Sequence, residues 1–293
     1  MPHLARILVP VDFSEPSRGV LRHAAALARH YDAKLTLLHV DELPGLLSRA
    51  RRFGLKNANW ESSLAEQAAG RRAELETFGA AELEGMAVQR LTRTGDPAHE
   101  IVNLARDEKT DLILMPTHGY GPIRRLLLGS VTAKVLHDAD CPVWTESHGS
   151  ETSESSSAKP RRVICGVRLD TESEKALSWA AEFAVESGAT LVVAHSIPMP
   201  TPEAIYLASW YESARRSAEE RIRNLTSGIS GLPVTPTVVI LDGYAPEALA
   251  VSARDLAAEL LVIGRNCSSG LLGRLNSEAY EIIRSAPCAV VSV

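Results

Sequence analysis

Two short segments of the chain carry residue types that could hold an anion beside a polyol. The first is Pro10-Val11-Asp12, where an aspartate closes an apolar run just before a helix-like stretch. The second runs from Met115-Pro116-Thr117-His118-Gly119-Tyr120-Gly121 to Gly129-Ser130. Asp12 reads either as a turn or capping residue or as an acceptor for ribose hydroxyls or an adenine edge. Gly129 and Ser130 read either as a turn glycine with an N-cap serine or as a phosphate site. The second reading has a mechanism: a helix N-terminus offers unpaired backbone N–H groups and a partial positive charge, and a glycine lets the backbone come close. Arg124 and Arg125 fit a solvated surface pair, with polyphosphate contact as the alternative. His118 reads as a loop histidine that hydrogen-bonds locally, with a general base as the alternative, because neither a nucleophile nor a carboxylate stands beside it in sequence.

Other phosphate and catalytic signatures are missing. The chain has no Gly-Lys pair and hence no Walker A loop, and Gly119-Tyr120-Gly121 fails as a dinucleotide fingerprint because Arg124 takes the third glycine position. It has no GxSxG elbow and no HExxH helix. The nine histidines form no metal-ligand cluster in sequence.

The elements that must position these residues come twice. Arg6-Ile7-Leu8-Val9 and the helix-like run after it match a segment from Arg162; Gly95–Pro116 matches Gly243–Gly264; Leu128–Val143 matches Leu275–Val290. These blocks are separated by 156, 148 and 147 residues, so one domain has been copied with altered loops. Between the copies lies SHGSETSESSSAKP, a serine-rich stretch that reads as a flexible linker. The expected division is residues 1–146, a linker at 147–160, and 161–293.

In the first copy, apolar runs at Ile7–Val11, Leu35–Val40, Leu112–Met115 and Pro142–Thr145, with a weaker one at Val88–Thr92, predict five strands. Helices are predicted after Ser14, around Glu61–Leu83, around Ala98–Arg106 and from Ser130 to His137. Strands without alternation are buried on both faces, the habit of a parallel sheet covered by helices. The fold class is therefore α/β, two doubly wound five-stranded parallel-sheet domains, each with strand order 3-2-1-4-5. In such sheets the ligand crevice opens where strands 1 and 4 part, beyond their carboxyl ends. That is where the two opening segments converge. The last strand of each copy would be an edge, and exposed edges invite pairing. An intrachain pseudo-dimer through these edges is predicted; assembly of two chains into a homodimer is left open.

Composition narrows the classes. At roughly 150 residues per domain, 293 residues make about two domains. A net charge of −5 gives no basic groove for nucleic acid and no polybasic membrane anchor. No apolar run nears the roughly 18 residues of a membrane helix. The start, Met1-Pro2-His3-Leu4-Ala5-Arg6, lacks a signal peptide's apolar core. Cys141, Cys165, Cys267 and Cys288 have neither CxxC nor zinc spacing and read as buried structural thiols. A cytoplasmic protein is expected. The segment Glu42–Asn59, with four basic residues beside Leu43, Leu46, Leu47 and Phe53, reads as a surface excursion, a flap near the crevice or a partner-binding stretch.

Taken together, the residues resemble a tandem universal stress protein over nearly the whole chain. The family's signature is Gly-x2-Gly-x9-Gly-[Ser/Thr], working with an aspartate at the end of strand 1. Asp12, Gly119, Gly129 and Ser130 match it, and Pro116 stands where the first glycine is expected. The resemblance implies that Pro10 and Asp12 meet the ribose or adenine, and that Val40 and Met115 line the adenine slot. Gly119, Gly129, Ser130 and Val131 would then bind the phosphates of ATP, ADP or AMP, with Mg²⁺. Proline removes a backbone donor, so affinity drops if the site uses one at 116. The second copy departs further: Arg168 replaces the aspartate, Cys267 the second glycine and Asn276 the third. Loss of its ATP site is expected, leaving a structural partner or a site for another anion through Arg168 and Arg265. Three functional readings remain: a nucleotide-binding stress-response module without efficient catalysis, though slow ATP hydrolysis fits it; a scaffold that binds no ATP; and an adenylyl-transferring enzyme, against which the near-minimal domain size argues. A downstream protein partner is not legible.

Overall fold

The structure is a computed structural model that describes residues 4–42, 58–118, 128–146, 159–199, 208–227, 236–265 and 277–293. Gly119, Arg124, Arg125, Cys267, Asn276, most of the predicted linker and most of Glu42–Asn59 lie outside the described residues.

The first copy runs β1 (Arg6–Pro10), α1 (Glu15–Tyr31), β2 (Lys34–Asp41), α2 (Ala58–Thr77), β3 (Val88–Thr94), α3 (Pro97–Asp107), β4 (Leu112–Pro116), α4 (Ser130–Asp138) and β5 (Val143–Glu146). The second repeats it as β6 (Arg162–Gly166), α5 (Thr171–Ser187), β7 (Thr190–Ile197), α6 (Ala208–Ser227), β8 (Thr237–Asp242), α7 (Ala245–Asp255), β9 (Leu260–Ile263), α8 (Ser277–Ser285) and β10 (Ala289–Ser292). Strands β1 and β4 are apolar runs buried on both faces, as the missing alternation requires. Helix α1 starts where Ser14 caps it, its hydroxyl accepting from the Ser17 N–H at 3.3 Å. Its buried stripe is Val20, Leu21, Ala24, Ala25, Leu27 and Ala28.

Helix α2 stops at Thr77 and not at Leu83 as the sequence suggested. Gly79 ends it at φ +68, and a Cβ there would lie 2.1 Å from Leu21 Cδ2. The chain can turn against α1 only through a glycine at this point. Residues up to Leu83 still pack: Phe78 and Leu83 are buried, but in turns.

All ten strands form one sheet, ordered β3-β2-β1-β4-β5-β10-β9-β6-β7-β8. Each half has the order 3-2-1-4-5 and is parallel inside. The halves join through β5 and β10, antiparallel, with Val143 opposite Ser292, Trp144 opposite Val291 and Thr145 opposite Val290. The two predicted edges thus pair within the chain. On one face Trp144 meets Phe183 of α5 edge-on at 5.8 Å, and Phe183 stacks on Trp179 at 5.0 Å. That face holds one core drawn from both copies, and so does the other. No described helix is long and apolar enough to cross a membrane.

Cys141, Cys165 and Cys288 are unpaired thiols, half-buried or buried. Burial pushes Cys165 and Cys288 up to about 12 and Cys141 to about 11. Burial and the Glu186 carboxylate raise Tyr31 as well. Each folded value lies above its unfolded one, so the stability these groups contribute is whole below about pH 9 and is lost as pH rises through the folded values. The urea midpoint should therefore fall steadily above about pH 9; a midpoint constant to pH 11 would contradict this burial. Phe183→Ala should cost about 3–5 kcal/mol and leave one cooperative urea transition, because both cores are shared. Two separated transitions in the unaltered protein would show that the copies unfold independently.

Candidate functional site

The crevice of the first copy begins where two prolines face each other. The β1–β4 ladder covers Ile7 opposite Leu112 and Leu8 opposite Ile113, then stops. Val11 N–H donates to Leu38 O at 2.9 Å, toward β2, and Thr117 N–H donates to Glu146 O at 3.0 Å, toward β5. Strand geometry alternates direction at each residue, so the nitrogens of Pro10 and Pro116 both face the gap. Neither carries a proton, and the ladder cannot close further. In the second copy the equivalent residues are Gly166 and Gly264, and the β6–β9 ladder continues to Gly166 opposite Ile263. Pro116 therefore costs the sheet no bond to β5, and the donor it removes is a crevice donor.

Asp12 follows directly. Its Oδ1 accepts from Ser14 N (3.0 Å), Ser14 Oγ (2.5 Å) and Ser17 Oγ (2.6 Å). No described residue donates to Oδ2, and the side chain is exposed. One carboxylate oxygen thus organises the start of α1, the turn role the sequence allowed, and the other accepts from no described residue. Between Asp12 and the cap, Phe13 takes φ +63. Its ring lies 4.4 Å from His39, whose Nδ1 bonds Val11 O at 2.8 Å. Phe13 and His39 were not singled out by the sequence reading. The signal was there: the second copy repeats the pattern, with Leu169 at φ +63 and His195 Nδ1 at 2.8 Å from Val167 O.

On the opposite rim, Gly129 N–H donates to Thr117 O at 2.7 Å, and Thr132 Oγ1 donates to Pro116 O at 3.0 Å. Gly129 is the N-cap of α4 and provides no side-chain cap. Its φ of −61 is open to any residue. What glycine gives is closeness, since a Cβ would sit 3.4 Å from Thr117 O and 3.5 Å from His118 Cα. Its own N–H is spent, so phosphate donors would come from Ser130 and Val131. Ser130 is the first helical residue, exposed, and no described residue bonds its hydroxyl. The reading of Ser130 as an N-cap is corrected here. Val40, Met115 and Val131 belong to one apolar cluster with Leu8, Leu38 and Leu128. Gly119 lies outside the described residues. His118 is buried, with Nδ1 at 3.0 Å from Thr117 Oγ1, the local bonding its sequence setting suggested.

The second crevice is a cleft of about 250 Å³ lined by Gly166, Arg168, Ser173, His195, Gly264 and Glu278, among others. Arg168, in the place of Asp12, lies 3.6 Å from both Asp170 and Glu278. Among the described rim residues one cation stands against two carboxylates, a balance that disfavours phosphate. Arg265 is not an anion ligand there. It is buried and turned to the first copy, donating to Ala139 O (2.8 Å), Cys141 O (2.6 Å) and Leu136 O (3.4 Å).

Comparison with known proteins fits this doubled architecture. The model of the universal stress protein family matches residues 3–145 and again 159–293. The chain belongs to that family. Among curated members, universal stress protein MJ0531 of Methanocaldococcus jannaschii is 32% identical over 140 residues, covering 47% of this chain and 79% of the relative. One from Mycolicibacterium smegmatis is 29% identical over 189 residues, covering 64% of this chain and 63% of the relative. Among solved structures, a universal stress protein from Archaeoglobus fulgidus superposes with a TM-score of 0.73 at 21% identity, over 99% of this chain and 98% of that one. At that identity it supports the tandem universal-stress-protein fold alone.

Ser14→Ala should remove both the α1 cap and a clamp on Asp12, lowering stability by about 1 kcal/mol in urea unfolding. A change below 0.3 kcal/mol would mean that Ser17 alone suffices.

Proposed function

We propose that the first copy is a regulatory adenine-nucleotide site and that the second has given up nucleotide for a structural role. The observation that carries this is the pairing of an oriented, half-free Asp12 carboxylate at the end of β1 with an α4 N-terminus that no side chain caps, across the strand gap. The carboxylate suits ribose hydroxyls or the adenine edge. The N–H groups of Ser130 and Val131 and the Ser130 hydroxyl suit phosphate. Val40 and Met115 offer the apolar wall for a base. ATP, ADP and AMP all meet these requirements. Mg²⁺ would be held mainly by phosphate oxygens and water, its usual mode; among the described residues no three His, Cys, Asp or Glu side chains group to cage a metal. Fast turnover is not part of the reading, because the one imidazole beside this loop, His118, is buried against Thr117.

The scaffold reading draws on a specific observation too: Pro10 and Pro116 leave the crevice short of backbone donors. The nucleotide reading requires that base and phosphate contacts compensate. Calorimetric titration of Mg²⁺-ATP into protein stripped of bound nucleotide decides between them. About one site per chain is expected, weakened roughly tenfold or more in Asp12→Ala as a charged hydrogen bond is lost. No heat from the unaltered protein would favour the scaffold.

A further inference from the structure

Arg265 stands where the first copy has Thr117, directly after the strand that ends the crevice. The two side chains behave differently. Thr117 Oγ1 stays within its own copy, bonding Glu146 O at 3.2 Å. The Arg265 side chain crosses the β5–β10 seam. Its main chain is fixed first, Arg265 N–H donating to Val293 O at 2.8 Å. Its guanidinium then meets the carbonyls of Leu136 in the last turn of α4, Ala139 at its C-cap, and Cys141 just before β5. It is 5% exposed. The last carbonyls of a helix have no partners within it and carry partial negative charge, so a cation there satisfies and stabilises them. The rigid fork of arginine holds its donors in fixed, separated directions that span carbonyls spread over a turn, which the compact ammonium of lysine matches less well.

Helix α4 is only nine residues long. Its N-terminus is the proposed phosphate end of the first crevice; its C-terminus is in the grip of Arg265. We infer that Arg265 is a positioning residue for the nucleotide site of the other copy: it fixes the axis of α4 from the C-terminal end and thereby sets where the N–H groups of Ser130 and Val131 point. The relation runs one way, since Thr117 is too short to reach the corresponding turn after α8. This gives the second copy a duty that does not depend on a ligand of its own. It also explains how the arginine can be buried beside a crevice without serving it.

The inference rests on the nucleotide reading for its consequence but not for its geometry, and the test keeps the two apart. In the full chain without nucleotide, Arg265→Met should speed amide exchange in α4 about tenfold, and Arg265→Lys should restore part of the protection. With ligand, Arg265→Met should weaken Mg²⁺-ATP by about tenfold while leaving adenosine, which has no phosphate, within about twofold. A general structural defect would weaken both alike. Unchanged exchange in α4, or equal losses for ATP and adenosine, would overturn the inference. If the unaltered protein binds neither ligand, the nucleotide reading fails; the exchange result still decides whether Arg265 positions α4.

Discussion

A five-stranded parallel sheet leaves an edge at each end, and the edge beside strand 4 lies next to the ligand crevice. In this chain the two such edges cancel. Three residue pairs between β5 and β10 turn two sheets into one. From that pairing follow the shared cores on both faces and the aromatic contact of Trp144 with α5. The seam also brings the end of β9 close enough to α4 for Arg265 to reach it. A single-domain protein can gain such a seam only by association at finite concentration. Here the duplication supplies it within one chain, and each crevice is completed beside a neighbour that never dissociates.

Duplication also let the two crevices diverge while their scaffold stayed the same. The strand-1 turn retains its αL residue, its histidine and its serine in both copies: Phe13, His39 and Ser17 in one, Leu169, His195 and Ser173 in the other. What changed is chemistry. One copy has facing prolines where the other has facing glycines, and a carboxylate in one stands where the other has an arginine held between two carboxylates. The glycines let β6 and β9 pair further, while the prolines force β1 and β4 apart early. The copy whose signature is more eroded nevertheless has a well-formed cleft of about 250 Å³. On the proposed reading it is not shape but the charge of the described rim residues that separates the two copies.

The fold was legible because its signals are local and repeated. Buried parallel strands show as apolar runs, and the matched blocks give the same order of elements twice. Asp12, Gly129 and Ser130 could be placed at the crevice from the switch-point rule alone. Three things were not legible, for separate reasons. Helix α2 has a largely exposed surface with no clear apolar stripe, so its end depends on Gly79 meeting Leu21, a contact between distant residues. The direction of a strand-end nitrogen depends on register, so the effect of Pro116 on the sheet could not be read from its type. Arg265 looked like an anion ligand because sequence places it beside the crevice. It is an inter-copy strut because the seam, a tertiary feature, offers it three carbonyls.

Two similar crevices with divided labour should differ in what they hold. A crystal structure of the full chain grown with Mg²⁺-ATP tests this most directly. Nucleotide is expected in the first crevice only, with its ribose or base on Asp12 and its phosphates on the N–H groups of Ser130 and Val131. Nucleotide beside Arg168 in the second crevice, or a triphosphate in the first that bypasses the α4 N-terminus, would contradict this division of labour.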